Sequence, residues 1–303
     1  MEMAGPTITV ITAAYNSSAT LRIALESLLA QTFVDWESWV IGDGCSDDSE
    51  EVVRNFGDAR LHWHNLETNR GSQAFPNNEG LRRARGRYIA YLGHDDIWLP
   101  DHLSVLKEFL EDGDFDLAHS ICGAFDSEHM TTCWGPPKYH LGYEGHFVPP
   151  SCWLHRRELV EETGYWSNPD ELALAVDMEF LRRIHRGKKR IGCCRRFTVV
   201  KITSGSIRLY SLTGEPPQAG YWRRVQGDVR GLERELLGEG GALLAEQFHG
   251  HPPFLALAEK SFRIAARELR RMTEGWPGVR YFWRWLYQHT RRQNRRARGL
   301  PRR

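Results

Sequence analysis

Residues 88–100 read Tyr-Ile-Ala-Tyr-Leu-Gly-His-Asp-Asp-Ile-Trp-Leu-Pro, an apolar segment that runs directly into two adjacent carboxylates, Asp95 and Asp96. Two acids at the carboxyl end of a buried strand repel each other and lose hydration, so a fold that places them there usually gives them a cation to hold. A metal-dependent site is one reading of the pair. The other is that the two acids cap a helix entering at Pro100-Asp101.

The elements that would have to position such a site follow an alternating pattern. Short β-rich runs at 8–11, 36–41, 60–65 and 87–92 alternate with helical stretches at 20–31, 47–56 and 72–85, and a further strand is expected at 116–121. In the first helix Leu21, Leu25, Leu28 and Leu29 recur at helical spacing, and Ser18 or Thr20 can cap it. Each strand ends in polar residues: Tyr15 and Asn16, then Asp43, then Asn69, then Asp95 and Asp96. Strand carboxyl ends in an open α/β sheet share one rim, and ligands bind in the crevice there, so these groups are expected to converge. The glycine-rich phosphate loops are missing, because the first strand ends in Ala13-Ala14-Tyr15-Asn16 and Gly42-Asp43-Gly44 is too short to count. A diphosphate ligand would therefore need a divalent metal and basic side chains to neutralise it.

Composition sets the outer limits. A chain of 303 residues, 41% hydrophobic and 26% charged, is globular and can bury one large core or a core plus a smaller appendage. No apolar run reaches the roughly 18 residues of a membrane span, and Met1 to Pro6 lacks a basic segment followed by an apolar one, so neither a span nor a signal peptide is expected. The six cysteines show no Cys-x-x-Cys spacing, which fits reduced thiols and a cytoplasmic location. The net charge is only +1, and no nucleic-acid partner is expected. The charge is uneven, since 280–303 holds nine arginines and no acid. With Tyr281, Phe282, Trp283, Trp285 and Tyr287 ahead of most of them, residues 276–303 suit either contact with an anionic lipid surface at the inner face of the membrane or a helix packed on the catalytic domain.

In order and spacing, a set of segments resembles family 2 glycosyltransferases of the GT-A fold. The set is Val10-Ile11-Thr12-Ala13-Ala14-Tyr15-Asn16, Ile41-Gly42-Asp43-Gly44-Cys45-Ser46-Asp47, Asn69-Arg70-Gly71, Asn78-Glu79-Gly80, Ala84-Arg85-Gly86-Arg87-Tyr88-Ile89-Ala90, Leu92-Gly93-His94-Asp95-Asp96 and Val176-Asp177-Met178-Glu179-Phe180. The resemblance covers about residues 6 to 210. It implies a mostly parallel sheet flanked by helices over 1–211, and a nucleotide-sugar-dependent, metal-dependent, inverting transferase. Residues 212–303 would form a C-terminal helical appendage, because Leu212 to Pro217 breaks the chain and 253–273 reads as helix.

Carried over by position, the resemblance puts Tyr15 and Asp43 at a uracil base, with Ala13, Asn16, Asn78 and His94 among the donor-binding residues and Lys201 at the diphosphate. Asp95 matches the second acid of the D-x-D motif and would bind Mn²⁺ or Mg²⁺, supported by Asp96. Asp177 matches the catalytic base, although an ordinary helix cap would stand at the same place. The implied partners are a nucleotide-sugar donor, most simply a UDP-sugar, and a glycan or glycolipid acceptor, with acceptor specificity expected between 126 and 151. Three departures stand out: Gly93 replaces the first acid of D-x-D, Gly42 replaces the acid before Asp43, and Asn77 sits where an arginine is common. No Gln-x-x-Arg-Trp follows Asp177, which favours transfer of a single sugar over processive synthesis. A sugar nucleotidyltransferase would need a glycine-rich loop where Ala13 to Ser17 stands. The remaining alternative is a non-catalytic nucleotide-sugar or glycan-binding protein of the same fold.

Overall fold

The computed structural model describes residues 5–126, 129–134, 143, 146–202, 214–249, 285 and 287–289. The sheet is built outward from β1 (Ile8–Ala14), which is buried along almost its whole length and so must be covered on both faces. Parallel to it lie β2 (Trp36–Gly42), with β3 (Leu61–Asn65) beyond, and on the other side β4 (Tyr88–Tyr91). Three helices make the crossovers: α1 (Ser18–Leu29), α2 (Ser49–Asn55) and α3 (Ala74–Arg83). Leu21, Leu25 and Leu28 of α1 are fully buried, and burying each such side chain contributes about 1.5–3 kcal/mol. In α3 the approach to β1 is so close that a Cβ on Gly80 would sit 2.5 Å from Ile11 Cγ2.

The second half of the sheet is mixed. It adds β5 (Asp96–Trp98), β6 (Leu117–Phe125), β7 (Met130–Trp134), β8 (Trp153–Arg156) and β9 (Ile191–Ile202), giving the order β3-β2-β1-β4-β8-β6-β9-β5 with β7 on β6. β8 runs antiparallel to both β4 and β6, and β5 antiparallel to β9, whereas β6 and β9 are parallel. Arg195 interrupts β9 with φ 53°, and the β6–β9 register shifts beside it. That irregularity re-aims the rest of β9, as bulges do, and sets Lys201 opposite Asp96 of β5.

Helices α4 (His102–Asp112), α5 (Glu158–Thr163) and α6 (Val176–Arg186) join the main core, with Leu103, Leu106, Leu110, Phe180, Leu181 and Ile184 buried against the strands. The chain after 213 forms α7 (Gln218–Gly227) and α8 (Val229–His249). These helices are more than an outlying addition: Tyr221, Trp222, Val225, Leu232 and Leu236 form a second buried cluster with Ile97, Phe125, Phe197, Val200 and Ile202. Near the C-terminus, the Gln288 amide donates to the carbonyl of Pro169 at 2.7 Å, so this stretch touches the turn that leads to α6. The expected helix at 253–273 and most of 276–303 lie outside the described residues, as does much of the expected acceptor region at 126–151. Among the described residues no helix is long and apolar enough to cross a membrane.

Candidate active site

The rim begins where β1 ends. Asn16 takes a left-handed φ of 40°, which asparagine tolerates, and its Oδ1 accepts from the Ser46 backbone N–H at 2.8 Å. Across the same gap Asp47 accepts from the Ser18 N–H at the start of α1. The carbonyl of Ala13 in β1 meets His94 Nδ1 at 2.9 Å, which joins β1 to the loop after β4, and Tyr15 just past β1 is half-buried.

Asp43 is 5% exposed, and its two oxygens accept from the consecutive backbone N–H groups of Arg70 and Gly71 at 2.8 and 2.9 Å. The carboxylate thus fixes the 69–71 loop at the end of β2. Gly42 has a steric cause: a Cβ there would meet Asn65 Oδ1 at 2.4 Å and the Trp63 ring at 2.9 Å. Asn65 in turn clasps the Cys45 backbone through both ends of its amide. Asn78 has a similar double bond to the Trp166 main chain, 2.9 Å in each direction, and ties α3 to the segment before α6.

Asp95 and Asp96 part company. Neither caps α4, whose N-cap is Asp101. Asp96 is fully buried, with both oxygens 3.0 Å from Lys201 Nζ and one of them accepting from the Ser151 hydroxyl at 2.5 Å. Ser151 Oγ also accepts from the Gly93 N–H at 3.0 Å, and the Ser151 carbonyl accepts from the Trp98 indole at 2.7 Å. The sequence reading puts Asp96 beside a metal and Lys201 on a diphosphate; in the structure each is the other's partner, and the pair locks the turn that presents Asp95. Burial pushes the Asp96 carboxyl up against the opposing pull of Lys201. Burial alone would depress the Lys201 ammonium, but Asp96 and then Asp95 outweigh it and hold it above the lysine range. Gly93 follows from the same packing, since a Cβ there would sit 2.5 Å from Asp96 Oδ2 and 3.2 Å from Asp95 Oδ1.

The Asp95 side chain is half-buried and takes no hydrogen bond among the described residues, while its backbone carbonyl accepts from Gln218 Nε2 at 3.0 Å. No group of three His, Cys, Asp or Glu side chains that could hold a metal occurs among the described residues. Such a donor set fits a hard divalent cation of the kind held by one or two carboxylates plus substrate phosphates, and it does not fit a cage made by protein alone.

Asp177 stands at the second position of α6, whose N-cap is Ala175. It is 9% exposed, and its Oδ1 accepts from the adjacent Met178 N–H at 2.7 Å. Burial raises its carboxyl above the ordinary range, partly opposed by its backbone hydrogen bonds and by Lys201. Lys201 therefore lowers both Asp96 and Asp177 against their burial, while Asp96 and Asp95 raise Lys201. Tyr143 lies close enough to feel Asp177 as well, and burial lifts its phenol to about 12.

Ser151 and Gln218 were not legible as site residues. Ser151 carries the faint signal of a polar residue beside Pro149-Pro150 at the entry to an apolar strand, and Gln218 carries none.

The curled, mostly parallel α/β sheet with polar residues at its strand ends is of the GT-A type. Residues 9–164, just over half of the chain, match the family described as Glycosyl transferase family 2, and the chain belongs to that family. A putative teichuronic acid biosynthesis glycosyltransferase, TuaG, of Bacillus subtilis is 35% identical over 107 residues, covering 35% of this chain and 42% of TuaG. The E. coli UDP-Glc:alpha-D-GlcNAc-diphosphoundecaprenol beta-1,3-glucosyltransferase WfgD is 35% identical over 98 residues, 32% of this chain and 38% of WfgD. The chain thus spans less than half the length of these curated relatives. Among solved structures, S. aureus TarS 1–349 in complex with UDP-GlcNAc shares the fold with a TM-score of 0.56 at 20% identity, over 69% of this chain and 62% of that one. The mannosyltransferase PcManGT from Pyrobaculum calidifontis, in complex with GDP-Man and Mn²⁺, gives 0.53 at 16% identity over 95% of this chain and 86% of that one.

Proposed function

We propose that the protein transfers a single sugar from a UDP-sugar to a hydroxyl of a glycan or lipid-linked acceptor, by one inverting displacement. The observation that carries this reading is the fixed turn at the end of β4: the buried Asp96 carboxylate sits 3.0 Å from Lys201 Nζ through both oxygens and takes the Ser151 hydroxyl, which leaves the adjacent, half-buried Asp95 to face a metal-bound diphosphate, while the buried Asp177 opens α6. A transferase needs two acids of different character, one for the leaving group and one for the attacking hydroxyl.

In this mechanism Tyr15 offers an aromatic face to the base, and Asp43 accepts the imide N–H that uracil presents and cytosine lacks. Asp95 would hold Mn²⁺ or Mg²⁺, which when bound neutralises the charge developing on a departing diphosphate. Asp177 takes the proton of the acceptor hydroxyl as that oxygen forms its bond to the anomeric carbon and the bond from that carbon to the diphosphate breaks. A single displacement inverts the anomeric configuration. The Asp96–Lys201–Ser151 cluster keeps the Asp95 turn in place throughout. WfgD is named for UDP-Glc and UDP-GlcNAc is bound in the TarS complex, which supports the uridine reading; GDP-Man in PcManGT is the alternative to test.

A thermal-shift comparison of UDP, GDP, dTDP and CMP, each with and without Mn²⁺, tests the donor half directly, because a ligand stabilises the native state by mass action. UDP with Mn²⁺ should give the largest shift. A larger shift with GDP would overturn the uridine assignment, and shifts indifferent to Mn²⁺ would overturn the metal. The reading extends to contact of residues 276–303 with an anionic membrane that carries the acceptor. Equal flotation on anionic liposomes with and without those residues would remove that part.

A further inference from the structure

We infer that Gln218, from the helical segment beyond the family match, is a positioning residue for the donor site, acting through the Asp95–Asp96 peptide. The inference rests on the reading of Asp95 as the metal-holding carboxylate. Gln218 is 1% exposed and opens α7, which packs against β5 and α1. Its Nε2 donates to the Asp95 carbonyl at 3.0 Å, a contact across 123 residues of chain. The peptide following Asp95 is then held from two sides. Its carbonyl is fixed by Gln218, and its far end by the Asp96 carboxylate seated on Lys201 and Ser151. With both anchors in place the backbone of Asp95 has little freedom to rotate, and its carboxylate direction is set before any ligand arrives. Without Gln218 the carbonyl can swing while Asp96 stays put, and the carboxylate swings with it.

The residue type supports this role. The Gln218 amide oxygen is buried and has no hydrogen-bond partner among the described residues. A buried amide that leaves its acceptor unused destabilises the fold, and methionine of similar length would pack there without that cost. The bond to Asp95 accounts for the amide. It also couples α7 to the rim, so the chain beyond the family match contributes to the site.

The test uses the full chain with two substitutions, Gln218→Met and Asp95→Asn, and two readouts that need no turnover: Mn²⁺ binding in the presence of UDP, by the electron paramagnetic resonance signal of free Mn²⁺, and the melting temperature of the metal-free protein. Removing an outer-shell partner of a metal ligand weakens metal affinity by about 10- to 100-fold. Gln218→Met should therefore lose about tenfold or more in Mn²⁺ affinity while its metal-free melting temperature stays near that of the wild type, and Asp95→Asn should lose nearly all binding. Wild-type Mn²⁺ affinity in Gln218→Met, with Asp95→Asn binding lost, overturns the role of Gln218 alone. A fall in melting temperature with unchanged affinity also overturns it, by making Gln218 merely structural. Retained binding in Asp95→Asn removes the underlying assignment of Asp95 and the inference with it.

Discussion

Replacing Lys201 with methionine probes the interaction on which the geometry of the rim depends. The side chain keeps most of its length, so the change is one of charge. In the native protein Nζ lies 3.0 Å from both oxygens of a carboxylate that is fully buried. At that separation and an effective dielectric of about 20 the attraction is ~5 kcal/mol. Desolvation offsets much of this in the intact pair, but removing one partner leaves a buried charge uncompensated, which costs about 3–5 kcal/mol. The Ser151 hydroxyl still donates to Asp96, which puts the expected loss near the lower end. Urea unfolding followed by tryptophan fluorescence should give a Lys201→Met protein less stable by about 3 kcal/mol at neutral pH. The Asp96→Asn/Lys201→Met double variant should recover most of that, because no charge is left buried. A loss under about 1 kcal/mol in the single variant, in the range of exposed pairs, would refute the argument, as would a double variant no better than the single one.

The acid limb of kcat/KM should lie above the usual aspartate value of about 3.9, because burial raises Asp177 and the base works only when ionised. Lys201 pulls the same carboxyl down, so its loss should move the limb to still higher pH; a limb that stays in place, or moves lower, contradicts the electrostatic link. Restoring the family's first acid by Gly93→Asp should not improve donor binding. The new Cβ would crowd Asp96 Oδ2 at 2.5 Å, and overpacking of this kind costs about 1–3 kcal/mol, measurable as a lower unfolding midpoint. A Gly93→Asp protein of native stability and tighter Mn²⁺·UDP binding would show that the packing at Gly93 is not what excludes the acid.

Much of the parallel half of the sheet was legible because it is local. The leucine spacing of α1 and the apolar runs of β1, β2 and β4 are set by near neighbours in the chain. The short β5 was not legible. Asp96–Trp98 looks like the approach to a helix, and it becomes a strand only because β9, about a hundred residues later, pairs with it. The same distance hid the Asp96–Lys201 pair. Two adjacent acids suggest a shared cation, and nothing local says that one of them already has a lysine. The departures at Gly42 and Gly93 could be seen in the sequence, but their cause lies in the packing of Asn65, Trp63 and Asp96 against those backbone positions. Glycine was also needed at Gly80, where α3 lies on Ile11, so part of the Asn78-Glu79-Gly80 signature concerns packing and part ties the fold through Asn78.

The most direct measurement of the central claim is single-turnover transfer by Asp177→Asn under conditions in which donor binding is saturated. A carboxyl whose folded value is raised above its unfolded one is a group whose ionised form the fold disfavours. That cost is present in full at pH above the folded value and is relieved as pH falls through it. Asparagine at 177 should therefore leave stability at pH 7 unchanged or slightly higher and UDP and Mn²⁺ affinity intact. The transfer step should slow by roughly 10² to 10⁴, as expected for a removed general base. Near-normal transfer in that variant, or a product that keeps the anomeric configuration of the donor, would contradict the account.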